Sequence, residues 1–318
     1  MSEAIVFTSG KGGVGKTTVI SNIGVELSQL DKKVIMLDTD MGLRNLDLVM
    51  GIEDKVNYNI LDILNRSCRI RQAIIRNKKY PNLYVIPAAP SMDTLCSYEA
   101  RFKILIEELK ASFDYCLIDS PAGIDSGFWF SVSPADRAIV VTTPHVSAIH
   151  DARRCISLLD SAHLDDISVI VNAYDKHMVR RHQMISDNDI TALLSTRIIG
   201  TIPYDKSVII CQNRGIPVRE AKSRLGPVFA RISGQIIHSS DDMRGAACMM
   251  HKFSKTGEYA KKRLKIALAE DRSAISASDN MTQIKKEIKS VIQRHMNIND
   301  EAYEVRIIMR DKKSINNL

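Results

Sequence analysis

A glycine-rich segment that carries two lysines limits what this chain can fold into. Residues 10–17 read Gly-Lys-Gly-Gly-Val-Gly-Lys-Thr. The apolar run Ala4–Thr8 precedes this segment, and apolar residues at helical spacing follow it from Thr17 to Leu30. A strand, a glycine-rich turn and a helix, in this order, are typical of the phosphate-binding loop of nucleotide-binding α/β proteins. The sequence therefore predicts a nucleotide site near its amino end.

The residue types of this loop suit the binding of a triphosphate. Glycines let backbone N–H groups surround a phosphate, and the helix that follows adds the positive end of its dipole. We expect Lys16 to neutralise the β- and γ-phosphates and the Thr17 hydroxyl to ligate Mg²⁺. The predicted nucleotide contacts in the loop are Gly10, Lys11, Gly12, Gly13, Val14, Gly15, Lys16, Thr17 and Thr18.

Short apolar runs alternate with helical patterns as far as residue 243. Their apolarity is continuous, which is typical of strands covered on both faces. The sequence therefore predicts an α/β fold with a doubly wound, mainly parallel sheet, followed by a small α+β tail. Besides Ala4–Thr8, the predicted strands are Lys33–Asp38, Leu83–Pro87, Tyr115–Asp119, Ala138–Thr142, Val169–Asn172 and Ile198–Pro203.

Acidic residues stand at the ends of two predicted strands. Asp38 and Asp40 close one strand, and Asp119 closes another before Ser120-Pro121-Ala122-Gly123. Parallel strands bring their carboxyl ends to the same ligand-binding edge, so we expect these carboxylates to anchor Mg²⁺. The Gly123 N–H is a candidate donor to the γ-phosphate. The alternative is ordinary turn chemistry in Asp-Ser-Pro.

The positive charge of the chain is concentrated in its carboxyl-terminal part. Residues 1–243 hold 28 basic and 28 acidic residues, whereas residues 244–318 hold 16 and 9, which accounts for the whole net charge of +7. The six cysteines form no C-x-x-C pair, so we expect reduced thiols. With no apolar run of 18 residues and no secretion signal in the sequence, a cytoplasmic protein is expected.

Four segments together resemble the MinD family within the deviant Walker A ATPases. They are residues 10–18, Asp38-Thr-Asp40, Gly42-Leu-Arg-Asn-Leu-Asp47 and Asp119-Ser-Pro-Ala-Gly123, and the likeness spans residues 1 to about 237. The resemblance implies an ATPase that uses ATP and Mg²⁺, dimerises with ATP and binds the inner face of the cell membrane peripherally. It also implies a role in placing the division septum, by confining a MinC-like inhibitor of septum formation.

The resemblance assigns a role to each matching residue. Lys11 is expected to reach across the dimer to the partner's nucleotide and to act in catalysis with Lys16 and Asp40, the residue that positions the attacking water. Thr17, Asp38 and Asp119 are the expected Mg²⁺ residues. The expected nucleotide-dependent switch consists of Asn45 and the segment Ser120, Pro121, Ala122 and Gly123. The positions expected to surround the adenine base are Asn172, Pro203 and Asp205.

The carboxyl-terminal part resembles a second family, MinE, whose members activate MinD ATPases. Residues 260–265, Ala-Lys-Lys-Arg-Leu-Lys, match the contact helix of that family, and Ile288–Asn299 matches its dimerisation helix and the turn after it. The implied organisation is an ATPase domain at 1–237, a linker at 238–250 and an incomplete activator-like region at 251–318, acting in cis or in trans. The last helix of the ATPase domain is expected from about Arg219 to Ile237. The alternative is a basic amphipathic tail that only binds an anionic membrane surface.

Three other functions are compatible with parts of the sequence. A ParA-type partitioning ATPase would carry basic residues for nucleic acid on the ATPase domain, whereas residues 1–243 are neutral overall, so no specific nucleic acid is expected. An iron–sulfur reductase would need a cysteine at the dimer face, and Cys116 lies within an apolar strand. A scaffold that binds ATP without hydrolysis would have no use for Asp40.

Overall fold

Strands and helices alternate along the described part of the chain. A computed structural model describes residues 2–90, 96–221 and 223–239. The strands are β1 (Glu3–Thr8), β2 (Val34–Asp38), β3 (Ile75–Arg76), β4 (Leu83–Ile86), β5 (Tyr115–Asp119), β6 (Arg137–Thr142), β7 (Ile167–Tyr174) and β8 (Arg197–Pro203). The α-helices are α1 (Lys16–Gln29), α2 (Asn45–Val49), α3 (Ile60–Leu64), α4 (Ile70–Ala73), α5 (Glu99–Lys110), α6 (Ser126–Val132), α7 (Val146–Ser161), α8 (Lys176–Arg180), α9 (Asp187–Leu194), α10 (Ser207–Asn213) and α11 (Gly226–Ser239).

The strands form an eight-stranded sheet in the order β3-β4-β2-β5-β1-β6-β7-β8 within the described residues. Neighbouring strands are parallel except for β3, which is antiparallel to β4. Because β1 pairs with β5 on one side and β6 on the other, the strand order reverses around β1. Doubly wound sheets bind ligands at this reversal, beyond the carboxyl ends of the strands.

The central strands are buried along their length. Every residue of β2, β5 and β6 is buried, which explains their continuous apolar sequences. All seven predicted strands are confirmed, and the predicted first helix is present as α1. The strand that the sequence did not predict is β3, because two residues at a sheet edge leave no apolar run to detect.

The end of the described chain differs from its prediction. A helix was expected from about Arg219 to Ile237, but a 3₁₀ turn at Val218–Ala221 comes first and α11 begins at Gly226. Pro227 explains this start, since proline is favoured in the first turn of a helix. The predicted linker and activator-like region lie almost wholly outside the described residues.

A buried arginine joins the amino edge of the sheet to the last turn of α11. Arg137, the first residue of β6, donates from Nη2 to the Ile236 carbonyl at 3.2 Å. Its guanidinium also lies 3.2 Å from Glu3 Oε2 and 3.5 Å from Asp166 Oδ2. Helix α11 therefore ends at the amino edge of the sheet, opposite the edge where the phosphate-binding loop lies.

No described helix combines the length and the apolar composition needed to cross a bilayer.

Candidate nucleotide-binding and catalytic site

The phosphate-binding loop follows β1 and ends in the first turn of α1. Gly15 occupies the N-cap position with a left-handed backbone at φ 89°, and Gly13 is left-handed at φ 77°. These two conformations favour glycine because it lacks a Cβ. No side chain caps the helix, so the N–H groups of its first turn are available to an anion. The loop thus has the backbone geometry of a phosphate site.

Two neighbouring elements pack closely against the loop. A Cβ on Gly10 would lie 2.3 Å from the Asp151 carbonyl oxygen in α7, and a Cβ on Gly15 would lie 2.4 Å from Asn172 Nδ2 in β7. The Asn172 amide also donates from Nδ2 to the Val14 carbonyl at 2.8 Å. Close packing against the Asp151 backbone therefore favours glycine at position 10, and at position 15 the left-handed backbone and the nearby Asn172 amide both favour it.

A buried ion pair joins the loop to the end of β5. Lys16 Nζ lies 3.0 Å from Asp119 Oδ1, with 6% of the lysine side chain exposed and 0% of the aspartate side chain. The second carboxylate oxygen, Asp119 Oδ2, is buried and accepts no hydrogen bond from the described residues. Since a buried, unpaired carboxylate oxygen is costly, this atom points to a ligand that is bound during function.

The two aspartates after β2 differ in their surroundings. Asp38 is buried and accepts N–H hydrogen bonds from Asp40 at 2.9 Å and from Leu46 at 3.1 Å. Burial raises the pKa of Asp38 to about 7, and the neighbouring Asp119 carboxylate adds to the rise. Asp40 is half-buried, and burial raises the pKa of Asp40, while the nearby Lys16 ammonium opposes the rise. Asp38 thus holds the backbone of its loop, and Asp40 keeps a carboxylate at the surface of the site.

Thr39 connects the two acidic segments of the site. Its hydroxyl donates to the Asp119 carbonyl at 2.7 Å and lies 2.8 Å from Ser131 Oγ in α6. Its backbone N–H donates to the same carbonyl at 3.0 Å. Asp38, Asp40 and Asp119 are thereby held in fixed relation, because all these contacts are buried.

The predicted Mg²⁺ residues fit a metal that keeps most of its water and takes phosphate oxygens. Asp119 offers the unpaired Oδ2, and Thr17 is half-buried in the first turn of α1. Both oxygens of Asp38 already accept backbone N–H groups, so Asp38 suits indirect support better than direct ligation. No cluster of three or more His, Cys, Asp or Glu side chains arranged for a metal occurs in the described ranges.

Lys11 points away from the loop, in contrast to Lys16. Its side chain is exposed, and Nζ lies 3.2 Å from Ser147 Oγ near the start of α7. The Lys11 carbonyl accepts a hydrogen bond from Ser9 Oγ at 3.0 Å. The backbone of Lys11 is therefore fixed within the loop, while its ammonium group stays at the protein surface.

The segments predicted as switches have glycines with left-handed backbones. Gly42 (φ 90°) precedes α2, in which Asn45 is the first residue, and Gly123 (φ 95°) ends the Ser120–Gly123 segment. The Gly123 N–H donates to the Ser9 carbonyl at 3.0 Å, so in this conformation it is not free for the γ-phosphate. Ser120 is fixed as well, because its N–H donates to the Phe7 carbonyl at 3.1 Å.

The positions predicted to surround the base lie at the ends of β7 and β8. Pro203 ends β8 opposite Tyr174. Asp205 accepts hydrogen bonds from the Ser207 N–H at 2.8 Å and from Ser223 Oγ at 3.2 Å, and the hydrogen bonds from Ser207 lower the pKa of Asp205. Asp205 therefore shapes the loop before α10, and contact between these residues and a base stays a prediction.

Several residues around the site were not predicted from the sequence. Ser147 and Asp151 contact the loop from α7, and Gln212 donates from Nε2 to Thr18 Oγ1 at 2.6 Å from α10. These contacts join residues more than 130 positions apart. No motif marks them, since serine, aspartate and glutamine on a helix are ordinary surface residues.

Comparison with known proteins supports the two resemblances found in the sequence, one for the amino-terminal part of the chain and one for the carboxyl-terminal part. A family model described as an AAA domain matches residues 2–167, and one described as septum formation topological specificity factor MinE matches residues 246–316. The chain is 42% identical over 261 residues to the septum site-determining protein MinD of Synechocystis sp., covering 80% of this chain and 98% of that protein.

Solved structures agree with this likeness. The MinC:MinD cell division protein complex of Aquifex aeolicus matches with a TM-score of 0.69 at 38% identity, covering 80% of this chain and all of that one. The septum site-determining protein MinD of Pyrococcus horikoshii, complexed with Mg-ADP, matches with a TM-score of 0.68 at 28% identity, over 76% and 98% of the two chains. A ParA family ATPase from Chlorobium tepidum is 22% identical, which shows the fold alone.

The buried pair predicts a loss of stability when its lysine is removed. Lys16→Met should lower the free energy of unfolding by about 3 kcal/mol without nucleotide, because it leaves the buried Asp119 charge uncompensated. Adding Asp119→Asn should restore most of the loss. Lys103→Met, which breaks an exposed pair with Glu99, should cost less than about 1 kcal/mol. Urea unfolding measures all three variants, and equal losses for Lys16→Met and Lys103→Met would contradict the prediction.

The packing of α7 on the loop predicts different effects at two glycines. Gly10→Ala should destabilise the protein by about 1–3 kcal/mol, because the new methyl group would overlap the Asp151 backbone. Gly12→Ala should cost less than about 1 kcal/mol, because the nearest atom to its Cβ is the Ala122 Cβ at 3.8 Å. Thermal unfolding without nucleotide compares the two. A Gly12→Ala loss as large as that of Gly10→Ala would show that the close approach is not the cause.

Proposed function

Because this chain belongs to the MinD family of septum site-determining proteins, we propose that it hydrolyses ATP in a dimer whose two sites are completed across the interface. The contrast between the two loop lysines carries this proposal. Lys16 is buried against Asp119 of its own chain, whereas Lys11 extends from the same loop with its ammonium group exposed. A cation in this position is available to a nucleotide on a second copy, where it can stabilise charge on the transferred phosphoryl group.

The proposed reaction converts ATP and water to ADP and phosphate. Mg²⁺ bound with the nucleotide would draw charge from the phosphate oxygens, and Thr17 and Asp119 would hold it. Asp40 is the proposed residue that positions the attacking water. Because its pKa is raised, Asp40 accepts a proton more readily than a carboxylate on a free surface does. The Lys16 ammonium group has three N–H donors, so a bound phosphate would share it with Asp119, and nucleotide binding would change the electrostatic surroundings of the end of β5.

The proposed biological role is to place the division septum. The Aquifex aeolicus neighbour is a complex of MinC and MinD, which supports a MinC-like inhibitor as a partner of this chain. ATP-dependent dimerisation would bring two copies of a weak membrane-binding segment together, and the linked pair would bind an anionic membrane much more tightly than one copy. We therefore propose a cytoplasmic protein that attaches peripherally to the inner face of the cell membrane when ATP is bound.

We propose that the carboxyl-terminal part supplies the activator of this ATPase. The match of residues 246–316 to the MinE model supports an activator-like region after a linker, with the ATPase domain at 1–237 and α11 ending at Ser239. The activator would act on its own chain or on a neighbouring one. The ParA-type alternative is weaker, because ParA likeness is confined to the fold and residues 1–243 are neutral overall.

The role proposed for Lys11 gives a kinetic prediction. Lys11→Ala should lower ATP turnover by about 10²-fold or more and leave ATP binding within a few-fold of the parent, because Lys16 and the loop backbone remain. Lys176→Ala, at another exposed lysine, is the matched control and should keep full turnover. Turnover and nucleotide binding are measured on the full chain. Normal turnover in Lys11→Ala would rule out a catalytic role for this lysine.

The proposed activator region predicts loss of stimulation when its contact helix is altered. Lys262→Glu with Arg263→Glu in the full chain should abolish the rise in turnover on anionic vesicles and leave turnover without lipid unchanged. Lys285→Glu with Lys286→Glu makes the same charge change elsewhere in the tail and should keep most of the stimulation. If both double variants lose stimulation equally, net charge rather than a contact helix is responsible.

A further inference from the structure

One surface of the ATPase domain is strongly basic although residues 1–243 are neutral overall. From residue 63 to residue 92 the sequence contains six arginines and lysines and no aspartate or glutamate. All six side chains are exposed. These residues, which we call the basic patch, are Arg66, Arg69, Arg71, Arg76, Lys78 and Lys79.

Four of the six residues of the basic patch line two adjoining grooves around α4. Arg66 and Arg69 line the first groove, and Arg71 and Arg76 line the second. The carboxylate of Glu108 lines both grooves. Lys79 pairs with Glu220 at 2.6 Å, whereas no ion pair involving the other five cations occurs within the described residues. The patch therefore keeps a clear excess of positive charge.

Apolar groups accompany these cations. Ile104 of α5 lines the first groove and is 60% exposed, whereas the other large apolar side chains of this helix, Phe102, Leu105, Ile106 and Leu109, are buried. In the second groove the Lys33 ammonium group lies over the ring of Phe113, with Nζ 4.8 Å from the ring centre, which is a cation–π contact. Cations beside accessible apolar groups suit a partner that is both anionic and amphipathic.

The second groove lies at the amino edge of the sheet. Lys33 immediately precedes β2, Phe113 lies two residues before β5, and Arg76 is opposite Tyr84 near the start of β4. The last turn of α11 is held at this same edge by Arg137. Beyond it the chain continues into residues 244–318, which carry the entire net charge of +7.

We propose that the basic patch binds the anionic headgroups of a lipid bilayer. A bilayer fits better than a small ligand, because the cations are spread over α4, β3 and the residues around them instead of closing around one point. The loop with Lys11 lies at the carboxyl edge, so a bilayer at the amino edge leaves it free to meet a second copy. This inference rests on the proposed membrane attachment and names a lipid-binding surface within the ATPase domain, separate from the tail.

Vesicle co-sedimentation of the full chain tests the proposal. The patch variant combines Arg69→Gln, Arg71→Gln and Lys78→Gln, and the matched control combines Lys176→Gln, Arg180→Gln and Arg181→Gln around α8 at the carboxyl edge. Each chain is mixed with ATP and with vesicles of phosphatidylcholine alone or with about 30% phosphatidylglycerol. A cation near an anionic surface contributes about fivefold in affinity. The patch variant should therefore bind the anionic vesicles at least tenfold more weakly than the parent chain.

The control variant should bind within about threefold of the parent, and both variants should keep the parent's unfolding midpoint and its turnover without lipid. The difference between the variants should shrink as salt is raised, because it is electrostatic. If the parent binds anionic vesicles and the patch variant binds equally well, the patch proposal alone is wrong. If the parent binds neither vesicle type with ATP, the proposed membrane attachment fails and the patch proposal with it. Unchanged vesicle binding together with lost binding to a labelled DNA duplex would assign the patch to nucleic acid and overturn the lipid proposal.

Discussion

The buried ion pair between Lys16 and Asp119 is the contact on which the rest of the site depends. It joins the first turn of α1 to the end of β5, two elements separated by 103 residues in sequence. The pair holds the Lys16 ammonium group in the site, and the second oxygen of Asp119 has no hydrogen-bond partner among the described residues. In the proposed site a bound phosphate would share this ammonium group with Asp119, so nucleotide binding would alter the charge environment at the end of β5.

Hydrogen bonds around Thr39 extend this coupling to the other acidic segment. β2 and β5 are adjacent and end in register, with Asp38 opposite Asp119. The Thr39 hydroxyl then contacts both the Asp119 carbonyl and Ser131 of α6. A displacement of Asp119 is thus transmitted to Asp40 and to α6 through direct buried contacts. This is a physical route by which the state of the nucleotide can change the surface that a second copy meets.

The two edges of the sheet divide the proposed tasks. The carboxyl edge holds the loop, the acidic residues and the exposed Lys11, so it is the edge proposed for chemistry and dimerisation. The amino edge holds the end of α11, Arg137 and much of the basic patch. Because parallel strands place all their carboxyl ends on one side, this separation follows from the fold, and membrane contact at one edge does not cover the nucleotide at the other.

Much of the fold could be predicted from the sequence because its information is local. Continuous apolar runs located seven strands, and the glycine loop located the nucleotide site, since both depend on neighbouring residues. The two-residue β3 and the late start of α11 were missed, because neither an edge pairing of two residues nor the 3₁₀ turn before α11 leaves a periodic pattern. The basic patch was not predicted either. Residues 1–243 are neutral overall, and a charge count over the whole domain does not show a local excess of cations.

The sequence by itself determined the fold class, the phosphate-binding loop and the presence of two lysines in it. Only the tertiary structure decided which side chain each lysine contacts within one chain. Lys16 contacts Asp119, which lies 103 residues away, and Lys11 contacts Ser147, which lies 136 residues away. It also decided that both carboxylate oxygens of Asp38 accept hydrogen bonds from backbone N–H groups, while Asp119 Oδ2 has no hydrogen-bond partner among the described residues. Side-chain burial and pairing are set by which strands become neighbours, and that order is a property of the folded sheet.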